Sequence, residues 1–123
     1  MRLACALLLL AFPAMAQETT DAPGALLRGL DKVSGIATDI EIKTGGAATL
    51  GRLEIALSNC RYPTNDPSSN AFAHLTIRDP LASAVSFDGW MVASSPALNA
   101  LDHPRFDVWL LRCTNAAASG GSD

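Results

Sequence analysis

The sequence predicts an all-β domain, a small antiparallel sandwich or barrel of five to seven strands with one short helix near 96–101. An OB-like barrel is the alternative. Two observations carry this expectation. Apolar and polar residues alternate one by one in several short segments, which is the period of a half-buried strand. Those segments follow one another at short spacing, punctuated by Gly, Pro, Asn, Asp and Ser.

The chain opens on MRLACALLLLAFPAMAQ. Arg2 supplies a positive charge, Leu3 to Phe12 form an almost unbroken apolar run, and Ala14-Met15-Ala16 is a small-x-small step. This is the layout of a secretory signal peptide over 1–16, with cleavage expected after Ala16. The run is shorter than the roughly 20 apolar residues that span a bilayer. Cys5 lies at its start, a poor position for lipidation. The expected product is a soluble periplasmic chain.

Removing the leader leaves 107 residues, enough for one domain. Without Arg2 the nine basic side chains become eight against twelve acidic ones, a formal net charge of −4. An acidic chain with no basic cluster lacks the electrostatic footprint of a nucleic-acid binder. It also lacks the polybasic stripe that holds proteins to anionic lipid. Of three cysteines, Cys60 and Cys113 remain, and in an oxidising compartment only one pairing is open to them. Their bridge would close a loop of about 54 residues, worth on the order of 4 kcal/mol.

Residues 17–25, QETTDAPGA, read as a flexible lead-in, 26–114 as the single β domain, and 115–123 as a disordered tail. In GIATDIEIK, Ile36, Thr38, Ile40 and Ile42 share one face. Gly45-Gly46 marks a turn. In TLGRLEIALSNCRY, Leu53, Ile55 and Leu57 share a face, and Cys60 falls on the wrong parity. Either a bulge turns it inward or the sheet is covered on both sides there. A loop over 63–70 follows. Ala73, Leu75 and Ile77 then point one way, with His74, Thr76 and Arg78 on the solvated side. SAVSFDGWMVA is a further β stretch, with a bend or bulge expected at Asp88-Gly89. RFDVWLLRC is apolar on both faces, the pattern of a central, buried strand.

Between the last two strands lies SSPALNALDHPRFDVW, residues 94–109. Ser95-Pro96 reads as a helix start, the hydroxyl capping a first-turn N–H and proline favoured at the first helical position. Leu98 and Leu101 would face the core, and the helix must stop before Pro104. Such a helix holds Ser95 and His103 roughly 9 Å apart. That sets aside a serine hydrolase built on Ser94 or Ser95, as does the missing G-x-S-x-G elbow. His103 with Asp102 and Asp107 makes a poor metal set. His103 therefore reads as a surface residue beside a turn, with Asp102 bonding local N–H groups. An anion site at Ser94 and Ser95 is weakened by Pro96, which removes a donor. If Phe87 and Met91 point inward, Trp90 falls on the opposite face with Val92. There it is either an exposed partner site or, as preferred, packed beneath the helix.

LRGLDKVSG at 27–35, GRLEI at 51–55 followed by Cys60, and FDGWMVASSPALNALDHPRFDVWLLRC at 87–113 together resemble exported bacterial proteins classed as domain of unknown function 2155. The resemblance implies export, a single domain and a Cys60–Cys113 pair, and it carries no established activity. His74 stands where that family's pattern suggests an aromatic. The 63–70 loop is short and Ser/Asn-rich where relatives are Pro/Glu-rich. The leading expectation is a non-enzymatic periplasmic module binding another envelope protein through Trp90, Ser94, Ser95, Asp102 and His103, with no cofactor and no metal. A small-molecule or glycan binder using Trp90, Trp109 and Tyr62 comes second, and a hydrolase third.

Overall fold

The computed structural model describes residues 9–11 and 17–114. The expected cleavage site after Ala16 and the expected tail over 115–123 lie outside the described residues. Among the described residues eight strands form two antiparallel sheets that do not close into a barrel, so the sandwich is the architecture adopted. They are β1 (Thr19–Asp21), β2 (Gly24–Asp31), β3 (Ala37–Lys43), β4 (Ala47–Leu50), β5 (Leu53–Pro63), β6 (Phe72–Arg78), β7 (Phe87–Val92) and β8 (Phe106–Thr114). The long β5 is the spine of the larger sheet. β6 and β7 follow on one side of it, while β4 and β1 pair with its two ends on the other. The smaller sheet runs β3-β2-β8.

The core lies between the sheets. Leu53, Ile55, Leu57, Leu75 and Ile77 from the larger sheet meet Leu27, Ile42, Val108 and Leu110 from the smaller. Each such side chain, fully buried, contributes roughly 1.5–3 kcal/mol. The alternation read from the sequence is the alternation of burial in β5 and β6. In β3 it holds only at Ile40 and Ile42. Ile36 precedes the strand and is 63% exposed, and Thr38 is exposed too.

Both cysteines reach the core by the same device. In β5 the register with β6 slips between Leu57 and Asn59, so Ser58 is the extra residue of a bulge. In β8 the register with β2 slips between Leu26 and Leu27, and Leu111 is the extra residue. A strand has period two, so one inserted residue moves everything beyond it to the opposite face. Cys60 and Cys113, both on outward parity in the sequence, thereby turn inward from opposite sheets. They form a disulfide with S–S 2.07 Å and Cα–Cα 5.8 Å.

Three expectations about the strands are corrected. The lead-in is paired, β1 lying against Arg61–Pro63 and β2 already beginning at Gly24. The segment read as one strand through Gly51 is a hairpin, since Gly51 and Arg52 form a two-residue loop between Leu50 and Leu53. Gly51 has φ +56°, and a Cβ there would meet Phe106 Cζ at 2.6 Å, so both conformation and space call for glycine. Finally, β8 is an edge strand instead of a central one, paired among the described residues only with β2. Its second apolar face, including Trp109 and Leu111, is half-buried on the outside of the smaller sheet.

The segment from Ala93 to Arg105 carries the chain from β7 to β8, that is, from one sheet to the other. Its helix is only a 3-10 turn at Pro96–Leu98, and the Ser95 side chain makes no cap. Leu98 is 75% exposed while Leu101 is buried, so the two do not share a core-facing stripe. The helix ends early because Asn99 is extended (φ −149°, ψ 108°) and its Nδ2 donates to the Trp90 carbonyl at 3.0 Å. Ser95 N–H donates to the Val92 carbonyl at 3.1 Å. Together these bonds occupy part of the free edge of β7, a place where unpaired strands invite aggregation. No bulge interrupts β7, whose register with β6 is continuous. At Gly89 a Cβ would lie 2.9 Å from Asn99 Nδ2, so a larger residue there would displace that amide.

Candidate functional site

Beneath this crossing segment lies a buried polar cluster. From Leu101 to Pro104 burial alternates residue by residue, with Leu101 and His103 inward and Asp102 outward, as in an extended strand. His103, expected at the surface, is therefore only 6% exposed. Its Nδ1 accepts the backbone N–H groups of Arg105 at 3.0 Å and Phe106 at 3.1 Å, the local role expected of Asp102. A ring nitrogen that accepts carries no hydrogen, so Nε2 holds the proton and donates to Asp79 Oδ2 at 2.8 Å. Neither nitrogen has a lone pair left to activate Ser94 or Ser95.

Asp79 is the hub. Arg52 Nε donates to its two oxygens at 2.9 and 3.0 Å, and Leu81 N–H donates to Oδ1 at 2.9 Å. Asp79, too, is 6% exposed, and among the described residues no buried side-chain polar atom lacks a partner. The cluster joins the β4–β5 hairpin, the loop after β6 and the approach to β8. Close by, Arg105 pairs with Asp31 at 3.1 Å. The guanidiniums of Arg52 and Arg105 lie 5.8 and 5.2 Å from the Phe106 ring centre.

Hydrogen bonds from Arg52, then His103 and Leu81 N–H, hold the Asp79 carboxyl well below its ordinary value of 3.8. The bond from Arg105 lowers Asp31 to about 2. A carboxyl depressed on folding stabilises the native state above its unfolded pKa, and that stabilisation is lost as pH falls through the folded value. These two carboxyls are thus expected to make thermal melts decline as pH falls from about 4 toward 2. Asp79→Asn should melt lower than wild type at pH 6 and lose less on acidification. An equally steep acid limb in that variant would show that Asp79 does not carry the effect.

On the outer face of the larger sheet a different group assembles. His74 and Trp90 are register partners on β6 and β7, and Arg61 and Phe72 are partners on β5 and β6. Phe87 and Met91 point inward, so Trp90 points out. It is 39% exposed and not packed beneath a helix; the following chain bonds its backbone carbonyl through Asn99. The His74 ring stands edge-on to the indole at 5.3 Å, and the Arg61 guanidinium lies 5.5 Å from the ring centre. His74 Nε2 is 3.4 Å from Asp88 Oδ1, and Arg61 Nε is 3.1 Å from Asp21 Oδ1. Beside Trp90 a shallow slot of about 280 Å³ is lined by Gln17, Thr19, Arg61, Phe72 and Trp90.

The other sequence candidates do not join this group. Trp109 lies opposite Arg28 on the smaller sheet, and Tyr62 packs against the core, so the three-aromatic platform does not form. Ser94 donates its backbone N–H to Asn70 Oδ1 at 3.0 Å, Ser95 sits at the 3-10 turn, and Asp102 is exposed. Phe72, Arg61 and Gln17 were missed. Phe72 and Arg61 are placed by the β5 bulge and by the pairing register, which single strands do not reveal. Among the described residues no group of three or more His, Cys, Asp or Glu side chains is placed to hold a metal ion.

Fold and surface together define a small disulfide-linked β-sandwich with an aromatic centre on one open sheet face. The chain belongs to the bacterial family described as "Uncharacterized protein conserved in bacteria (DUF2155)", whose profile matches residues 25–113. The uncharacterized protein RP359 of Rickettsia prowazekii (strain Madrid E) is 27% identical over 90 residues, covering 68% of this chain. The chain spans 56% of that relative's length. No solved structure matches.

Proposed function

We propose that this chain is a non-enzymatic module of the bacterial envelope, exported by the leader over 1–16, that binds another envelope protein through the outer face of its larger sheet. The observation that carries the reading is Trp90, held half in water by Arg61 and His74 on the edge strand of an open β face. Exposed tryptophan beside arginine is the composition of interface hot spots, where truncation costs about 2 kcal/mol or more, roughly thirtyfold in affinity. His103 supports the non-enzymatic part, since its nitrogens are engaged in holding the fold.

The test is crosslinking and co-purification of the tagged full-length chain from its native host, beside a Trp90→Ala variant. One dominant envelope protein, depleted at least tenfold by the substitution, is the expected result. Absence of any partner above background, or a partner retained equally by the variant, overturns the reading. The slot beside Trp90 favours one alternative, a small molecule or glycan stacked on Trp90 and Phe72. Saturable change in tryptophan emission on titration would single it out.

A further inference from the structure

We propose that the mature chain begins with Gln17 in its cyclised form, a pyroglutamyl residue, and that this neutral lactam forms one wall of the slot beside Trp90. The inference rests on the export reading above. Two independent features converge on residue 17. In the sequence, the small-x-small step ends at Ala16, so cleavage there makes Gln17 the first residue. In the fold, the next residue is already anchored: the Glu18 carbonyl accepts the Thr64 N–H at 3.0 Å, and β1 follows at Thr19. Cleavage after Ala16 leaves a single residue ahead of the first anchored one.

An N-terminal glutamine holds its own electrophile. The unprotonated α-amine attacks the side-chain amide carbon, a C–N bond forms, the bond to the amide nitrogen breaks, and ammonia leaves with the amine's proton. No oxidant or co-reactant is consumed. The product loses the terminal positive charge.

The location gives that loss a consequence. Gln17 lines the same slot as Arg61, Phe72 and Trp90. A terminal ammonium there would stand near the Arg61 guanidinium, whose partner is Asp21 at 3.1 Å. Like charges in one small space oppose each other. The lactam removes that repulsion and offers the aromatic pair a flat, uncharged neighbour with one N–H donor and one carbonyl acceptor. The slot presented to a partner is then apolar with a single cation, Arg61.

Intact mass and N-terminal sequencing of the protein recovered from the host periplasm test this. The expected chain starts at residue 17, weighs one ammonia less than its sequence, and is blocked to stepwise degradation from the amine. Gln17→Glu should restore a free amine, because cyclisation would then require water to leave from a carboxylate. A wild-type chain starting at Gln17 with a free amine overturns the proposal and leaves export standing. A chain that starts elsewhere, or that keeps residues 1–16, overturns the proposal together with the cleavage on which it rests.

Discussion

Replacing Cys60 and Cys113 together by alanine is expected to lower stability by about 4 kcal/mol, the chain-entropy value for a bridge closing so long a loop. The two residues are 53 apart in sequence and join the two sheets, so the bond constrains nearly half the chain in the unfolded state. For a domain of this size the loss corresponds to a fall in melting temperature of roughly 15–30 °C. Calorimetry of the double variant measures it, and using both substitutions avoids a stray thiol. The shift should match that of wild type under reductant. A double variant that melts within a few degrees of wild type would mean that the sandwich is held by its core alone.

His103→Ala should be nearly as severe, at roughly 3 kcal/mol. The substitution leaves the Arg105 and Phe106 N–H groups without their acceptor, takes one donor from Asp79 and opens a cavity under the crossing segment. Each buried polar group left unpaired costs about 1–3 kcal/mol. The contrast is Ser94→Ala with Ser95→Ala, both exposed, expected to change stability by less than about 0.5 kcal/mol each. Chemical denaturation of the three variants makes the comparison. A His103→Ala chain as stable as the serine variants would place the imidazole back at the surface.

These two predictions differ in how far the sequence alone supports them. The disulfide is legible by counting, and parity narrows the way Cys60 is buried to a bulge or a sheet covered on both sides, because Leu53, Ile55 and Leu57 fix the inward face before Cys60 is reached; the bulge at Ser58 is the one adopted. The second bulge, at Leu111, was open to the same argument from Phe106, Val108 and Leu110. It was obscured because β8 is apolar on both faces and its parity carries no contrast. The Gly51-Arg52 hairpin had a local signal too, a glycine at the first loop position, lost inside an apolar run that reads as one strand.

His103 had no local signal. Its side-chain partner Asp79, and the Arg52 that Asp79 in turn holds, lie 24 and 51 residues away, so nothing near Asp-His-Pro announces a buried imidazole. The Trp90 face was half legible. Parity gave the outward direction, but whether a helix covered the ring depended on Asn99 leaving the helical path to reach a carbonyl of β7. Phe72 and Arg61 joined the site only through cross-strand register.

The sequence by itself determined the β class, the inward faces of β5 and β6, the disulfide pairing and the place of 94–109 as a link between two strands. Each of these is set by residue type and spacing along a few neighbours. Only the tertiary structure decided which strand is an edge, which histidine is buried and which aromatics share a face. Those depend on contacts between segments far apart in the chain, and a two-residue period repeats identically whichever strand comes to lie alongside.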